Sequence, residues 1–224
     1  GLKRACALLP SASTHAIKKN LMKKKLLVAL LALLLIPVLC GIIFMRLTPA
    51  QQAQILHALL PKAYGLSQRQ IELLAAPPLP AHARISRLVV HKSLREMMAY
   101  DASGQLLKTY PIALGGNPIG HKQFEGDRRT PEGIYRINDR NPNSGYHLNL
   151  GVSYPNAADR RHAAALGKPP GGDIKIHGLP NNMGKLGASH LLRDWTNGCI
   201  AVTNPEMDEL FRAVIHNAVI EILP

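Results

Sequence analysis

The chain has 224 residues, of which 46% are apolar, enough for one folded domain with an additional segment. Aromatic residues make up only 4%, which argues against a carbohydrate or nucleic-acid surface built from stacked rings. The net charge of +13 is unevenly distributed, since residues 1–46 hold eight Lys and Arg and no acidic residue, against 19 basic and 14 acidic residues in the remainder. The basic excess therefore flanks an apolar segment, and we expect no nucleic-acid partner.

An uncharged apolar segment at 26–45 follows three consecutive lysines, Lys23–Lys25. At ~1.5 Å per residue, a helix of this length spans ~30 Å, the thickness of a bilayer core. We predict a retained transmembrane anchor, with a cleaved secretion signal as the first alternative and lipidation at Cys40 as the second. Residues 1–25 then form a basic cytoplasmic tail, of which 1–21 precede Met22 and are expected to be an extension outside the fold. The remainder of the chain is predicted to be exported.

Residues 46–83 are predicted to form a helical stalk and a linker. Apolar residues at helical spacing begin at Ile55, and Ser67 is a candidate N-cap for a second short helix. The run Pro77–Pro80 contains three prolines, which stop a helix and stiffen the chain. It therefore marks the entry to a globular domain at 84–224.

From residue 84 onward, short runs rich in apolar and β-branched residues alternate with turn signals such as Asp101–Gly104. One late helix is predicted at Pro205–Ile215, with Asn204 as its N-cap. Many short strands with one late helix favour a mainly β sandwich or barrel-like domain over a doubly wound fold. The predicted strands are Ile85–Val90, Glu96–Tyr100, Gln105–Ala113, Ile134–Ile137, Tyr146–Tyr154, Asp173–His177, Cys199–Val202 and Asn217–Leu223.

Cys199 is the only one of three cysteines that falls in the predicted globular domain, where it has no disulfide partner. Such a cysteine is either a small buried apolar residue or a reactive thiol. His177 ends another strand-like run, and a thiol with a nearby imidazole is the pair that nucleophilic acyl transfer needs. The polar turn Thr196–Cys199 can direct backbone N–H groups at an oxyanion, and Gly178 lets a substrate backbone approach closely. The His and Cys spacings fit no metal motif, so we expect no metal and no cofactor.

These residues resemble the YkuD-type L,D-transpeptidase catalytic domain, whose members share a His-Gly pair followed by a Ser/Thr-x-Gly-Cys turn. His177-Gly178 and Thr196-Asn197-Gly198-Cys199 occur here in that order. The resemblance covers roughly 84–224 and is strongest to the YafK-like subgroup of Gram-negative proteins. Further segments similar to that subgroup are Pro111–Gly115, Gly120–Lys122, Gly126–Gly133, Arg140–Ser144, Ser153–Asp159 and Asp194–Thr196.

The resemblance implies an L,D-transpeptidase β-sandwich-like fold and a periplasmic enzyme that acts on peptidoglycan stem peptides. Cys199 is then the nucleophile and His177 the proton acceptor and donor, with N–H groups near Asn197 and Gly198 binding the oxyanion and Thr196 ordering the turn. A thioester on Cys199 is resolved by an amine, which gives a crosslink or an attachment of lipoprotein. Water instead gives a carboxypeptidase or amidase, for example one that releases wall-linked lipoprotein.

Two residues depart from the commoner family pattern, since Asn197 stands where many members have His, and Ala201 where many have Arg. Both departures concern recognition and crosslinking rather than the thiol and imidazole themselves. Arg193 and Asp194 are candidates for contact with the stem peptide, with a salt bridge that holds the loop as the alternative. A third hypothesis is a catalytically silent wall-binding module. The expected partners are stem peptides, wall-linked lipoprotein and the inner membrane. We expect the catalytic domain to lie in the periplasm, anchored to the inner membrane or, if the signal is cleaved, free in the periplasm.

Overall fold

The computed structural model describes residues 45–46 and 65–224. The chain divides into two units, Gly1–Leu56 and His57–Pro224, and the fold described below lies in the second. Apart from Met45, the predicted transmembrane anchor at 26–45 lies outside the described residues, as do residues 47–64 of the predicted stalk and linker. Within the described ranges, no helix has both the length and the apolar character needed to span a membrane.

Three α-helices and eight strands make up the described fold. The helices are α1 (Gln68–Ala75), α2 (Ala157–Ala165) and α3 (Asn204–Ala213), and a 3₁₀ segment covers Gly184–Leu192. The strands are β1 (Ile85–His91), β2 (Glu96–Tyr100), β3 (Leu106–Pro111), β4 (Gly133–Ser144), β5 (His147–Val152), β6 (Lys175–His177), β7 (Ile200–Ala201) and β8 (Val214–Leu223).

All eight strands belong to one sheet in the order β3-β2-β1-β8-β4-β5-β6-β7. The pairs β1/β8 and β6/β7 are parallel, and the other pairs are antiparallel. The two ends of the sheet meet, because Ala113, just after β3, exchanges backbone hydrogen bonds of 2.9 and 2.8 Å with Ala201 of β7. The prediction of a mainly β, barrel-like domain is therefore confirmed.

The core lies between the curled sheet and α3. Strand β8 alternates buried and more exposed positions, with Ala218, Ile220 and Ile222 turned inward. Helix α3 contributes Met207 and Leu210, both fully buried, to the same apolar cluster. Burial of these faces is the main force that holds the late helix against the sheet.

The ends of two helices test the predicted caps. Ser67 caps α1 in a reciprocal capping box with Gln70, as predicted. The predicted cap of α3 was displaced by one residue, because Thr203 is the N-cap and its N–H and hydroxyl both donate to the Glu206 carboxylate, at 3.0 and 2.7 Å. Asn204 is instead the first helical residue, and its side chain accepts a hydrogen bond of 2.8 Å from the Leu179 N–H.

Several elements differ from the sequence prediction. Helix α2 was not predicted, although Asn156 and Asp159 form a capping box at its start. Strand β4 runs to Ser144, far beyond the predicted end at Ile137, because its second half pairs with β5. The remaining strands and α3 were found with bounds shifted by up to three residues, apart from β2, whose predicted bounds are the observed ones.

Candidate active site

Strands β6 and β7 bring His177 and Cys199 together. The parallel pair places Ile176 beside Ile200 and His177 beside Ala201, so Cys199, which directly precedes β7, lies level with Lys175. Side chains two positions apart on a strand point to the same face, so Cys199 and His177 are diagonal neighbours on one face. Both side chains line a single cleft of about 380 Å³. The two residues predicted to carry the chemistry thus share one site.

A rigid turn presents the cysteine. The Thr196 hydroxyl donates to the Cys199 carbonyl at 2.7 Å and accepts from the Gly198 N–H at 3.1 Å. Gly198 has a φ of +132°, and a Cβ there would lie 2.7 Å from the backbone oxygen of Arg129, so only glycine fits. The backbone of Thr196 is also tied to the strand-end segment at Leu114 by a hydrogen bond of 3.1 Å.

The predicted oxyanion donors of this turn differ in availability. The Gly198 N–H is already occupied by the Thr196 hydroxyl. The N–H groups of Asn197 and Cys199 have no acceptor among the described residues. These two groups are therefore the donors that a developing oxyanion at the thiol can use.

His177 is held in one tautomer. Its Nδ1 lies 2.7 Å from the carbonyl oxygen of Gly178, and because a carbonyl only accepts, Nδ1 carries the proton. The lone pair of the neutral imidazole is then on Nε2, the atom that can accept a proton from a thiol. Burial lowers the pKa of His177, although the hydrogen bond to Gly178 acts in the opposite direction. His177 is therefore a neutral base at physiological pH.

Cys199 is a thiol rather than a thiolate in this resting site. Burial raises the pKa of the Cys199 thiol, and the nearby Asp173 adds to this rise, while a hydrogen bond from the Lys175 backbone and the charges of Lys175 and Lys122 oppose it. The Sγ atom donates to the backbone oxygen of Asp173 at 3.5 Å. The cleft therefore holds a neutral thiol and a neutral imidazole, two groups between which a proton can pass before nucleophilic attack.

Comparison with known proteins identifies the family of this domain. Residues 85–222 match the family described as YkuD, the L,D-transpeptidase catalytic domain. The chain belongs to this family. The predicted resemblance is therefore confirmed, and the matched range contains both Cys199 and His177.

Individual relatives show how far the likeness extends. The chain is 33% identical over 130 residues to "Putative L,D-transpeptidase YafK" of Escherichia coli (strain K12), which covers 56% of this chain and 45% of that protein. It therefore spans a little under half the length of that curated relative. The helical cell shape determining protein Pgp2 of Campylobacter jejuni is 25% identical, with 63% of this chain and 48% of that chain covered and a TM-score of 0.49. For L,D-transpeptidase 1 of Mycobacterium tuberculosis the identity is 16%, the coverages 61% and 60%, and the TM-score 0.38.

Aromatic side chains frame the histidine of this L,D-transpeptidase domain. The ring centroid of Tyr146 lies 4.7 Å from that of His177, and the ring centroid of Trp195 lies 5.7 Å from that of His177. Tyr146 and Trp195 face each other at 6.4 Å and 23°. Asn149, opposite His177 on β5, also lines the cleft, and its Oδ1 is buried with no partner among the described residues.

These three cleft residues were not predicted. Trp195 is the only tryptophan of the chain and directly precedes the turn, a signal that was available in the sequence. Tyr146 and Asn149 carry no such signal, because their position beside His177 depends on the long-range register between β5 and β6.

The predicted substrate-adjacent residues lie outside the cleft. A Cβ on Gly178 would come within 2.6 Å of the Asn204 side-chain oxygen, so this glycine is required for internal packing. Asp194 forms an ion pair of 2.7 Å with Arg95 and accepts a hydrogen bond of 2.9 Å from the Leu114 N–H. These contacts match the alternative prediction, a salt bridge that holds the loop. Arg193 is exposed and lines neighbouring cavities. In the part of the chain that the structure describes, no group of three or more His, Cys, Asp or Glu is arranged to hold a metal.

Proposed function

We propose that this domain is an exported cysteine L,D-transpeptidase that acts on peptidoglycan stem peptides. One observation carries the proposal: the Cys199 thiol and the His177 imidazole line one cleft, and His177 leaves its Nε2 as the proton acceptor. Membership of the L,D-transpeptidase family supports the substrate class. The presence of a thiol, a fixed base and free backbone N–H groups in one cleft supports acyl transfer as the reaction type.

In the first half-reaction, Nε2 of His177 takes the Sγ proton while Sγ attacks the carbonyl carbon of the L-to-D peptide bond. The carbonyl π electrons move to oxygen, and the oxyanion accepts hydrogen bonds from the N–H groups of Asn197 and Cys199. When the C–N bond breaks, the imidazolium of His177 returns its proton to the leaving amine. The products are a thioester on Cys199 and the released terminal D-residue with a free amino group.

In the second half-reaction, an acceptor amine attacks the thioester and gives up a proton to His177. The C–S bond breaks, the thiolate regains that proton, and a new amide links two stem peptides. Burial of the pair helps both steps, because a thiolate and an imidazolium attract each other more strongly away from water. The carbonyl of Gly178 stabilises the imidazolium through Nδ1.

The acceptor determines whether the enzyme crosslinks or hydrolyses. Water in place of the amine would release a free acid, and the same cleft residues would carry that reaction. We assign transpeptidation as the primary activity, because the matched family is described as the L,D-transpeptidase catalytic domain. The appearance of only shortened peptides or released lipoprotein, without new crosslinks, would identify a hydrolase instead.

The test uses the purified full chain, incubated with tetrapeptide muropeptides and analysed by mass spectrometry. We expect crosslinked products with the native chain and none with Cys199→Ala. His177→Gln is expected to lower the rate by about 10²–10⁴, the usual contribution of a general base. The matched control is His216→Gln, because His216 is exposed on β8 and outside the cleft. Unchanged products from Cys199→Ala would exclude the proposal.

Export is part of the proposal and has a separate test. We infer that the segment at 26–45 anchors the chain in the inner membrane and that the domain lies in the periplasm. A C-terminal epitope tag should then be degraded by protease in spheroplasts and protected in sealed inverted vesicles. The reverse pattern would place the domain on the cytoplasmic side and exclude this location.

A further inference from the structure

A second cavity lies next to the catalytic cleft. Its volume is about 460 Å³, within the range of small-molecule sites. Trp195 lines both this cavity and the cleft that holds Cys199, so the indole forms a shared wall. The 3₁₀ segment Gly184–Leu192 forms much of the opposite side. We refer to it below as the second cavity.

The walls of the second cavity are mainly apolar and open to solvent. Leu179 is buried, whereas Met183, Leu186 and Leu192 are exposed to 47%, 42% and 49%. Large apolar side chains that remain exposed around a concave surface are typical of a binding site. A ligand that fills the cavity must therefore present an apolar group.

One polar group in this apolar setting has a fixed hydrogen-bonding role. The indole N–H of Trp195 donates to Nδ1 of His190 at 3.4 Å, so Nδ1 is the acceptor and a neutral His190 carries its proton on Nε2. Burial lowers the pKa of His190 to about 4, and the nearby His177 adds to the effect, so the ring is neutral at pH 7. His190 is only 6% exposed, and its Nε2 has no partner among the residues that the structure describes.

His190 lines the cavity, and its buried Nε2–H donor lacks an oxygen acceptor among the described residues. Leaving such a group unpaired carries a desolvation penalty, which a ligand oxygen would offset. Arg193 adds a permanent positive charge at the edge of the cavity, and its guanidinium makes no ion pair with the described residues. Between Leu179 and Arg193 the sequence contains no Asp or Glu. The complementary ligand is therefore an anion whose charge is on oxygen.

From these contacts we propose that the second cavity is a binding site for an apolar amino-acid residue with a free carboxylate. Its apolar side chain lies against the leucine and methionine walls, and its carboxylate accepts from His190 Nε2 and from Arg193. Binding there requires no reaction at Cys199, so the site goes beyond the proposed activity. If the proposed function holds, the shared Trp195 wall places such a residue beside the peptide that Cys199 attacks.

The probe is N-acetyl-leucine, and Trp195, the only tryptophan of the chain, is the fluorophore. The full chain with Cys199→Ala is reconstituted in phosphatidylcholine vesicles and titrated at pH 7, so that binding is measured without any reaction. We expect a saturable change in tryptophan emission. N-acetylleucinamide, which lacks the carboxylate, is expected to bind at least tenfold more weakly.

Two arginine variants localise the site. Arg193→Gln is expected to weaken N-acetyl-leucine binding at least fivefold, whereas Arg161→Gln, a matched exposed arginine on α2, should leave it unchanged. His190→Gln should also weaken binding. Equal affinity for the acid and the amide, equal behaviour of the two arginine variants, or no saturable response would overturn the proposal. Because the measurement uses a protein without the thiol, its result is independent of whether the proposed transpeptidation is found.

Discussion

Glu206 is a buried carboxyl whose replacement tests the electrostatics of the core. It lies in the first turn of α3, is only 7% exposed, and accepts two hydrogen bonds from Thr203 through Oε2. Its other oxygen, Oε1, has no partner among the described residues. Burial raises the pKa of Glu206 from 4.5 to about 7, with Glu209 adding to the rise and Thr203 and Lys108 opposing it.

The sign of the pH effect follows from that direction. The folded state holds the Glu206 proton more tightly than the unfolded state. The contribution of Glu206 to the free energy of unfolding is therefore fully present below pH 4.5 and is lost as the pH rises towards 7. The change from 4.5 to about 7 corresponds to about 3 kcal/mol of unfolding free energy. Glu206→Gln removes the ionisation and keeps an oxygen acceptor for Thr203. The variant should be more stable than the native chain at pH 8 by about 1–2 kcal/mol, since the amide N–H that replaces Oε1 also lacks a partner.

The assay is urea denaturation of the full chain at pH 5 and pH 8, followed by Trp195 emission. At pH 5 the two proteins should differ little, and at pH 8 the midpoint of Glu206→Gln should lie at higher urea. Glu72→Gln is the control, because Glu72 is an exposed carboxyl on α1. If Glu206→Gln kept the pH slope of the native chain, or lost stability at pH 8, the reasoning would be refuted.

Three further predictions concern the candidate site. Thr196→Val removes both hydrogen bonds of the turn and leaves the Gly198 N–H unpaired, so we expect a loss of about 1–3 kcal/mol in urea denaturation and a rate at least tenfold lower in the muropeptide assay. Gly178→Ala places a Cβ 2.6 Å from a side-chain oxygen, so its midpoint of denaturation should fall, whereas Gly145→Ala, where nothing lies within 4 Å, should be close to neutral. Burial lowers the pKa of His177 below 6.5 and raises that of Cys199 above 9.0, so kcat/KM should be flat between those values and fall only outside them. A half-maximal rate inside that interval would contradict the neutral thiol–imidazole pair.

Local signals in the sequence predicted the strands well. Glu96–Tyr100 was predicted with its observed bounds, because its turn residues and its β-rich composition agree. Helix α2 was missed since only Asp159 and Ala163 are buried, and so short a buried face gives no periodic signal. Its capping box at Asn156 and its alanine-rich composition were the available indications.

The same difference between local and long-range signals decided which residues of the site could be predicted. Cys199 and His177 stood out because a thiol and an imidazole carry recognisable chemistry and lie in family motifs. Their neighbours Tyr146 and Asn149 did not, because pairing between strands distant in sequence decides which side chains share a cleft. The role of Asp194 as a partner of Arg95 likewise depends on a contact across 99 residues.

The hydrogen bonds between Ala113 and Ala201 have a consequence for the solution behaviour of variants. Together with the bridge between Gly115 and Thr196, they close the sheet at the turn that presents Cys199. An unclosed sheet would expose backbone N–H and C=O groups along β7, and such edges pair readily with other chains. Substitutions that disorder the turn Thr196–Cys199 are therefore expected to promote aggregation, so poor solubility and loss of activity should appear together.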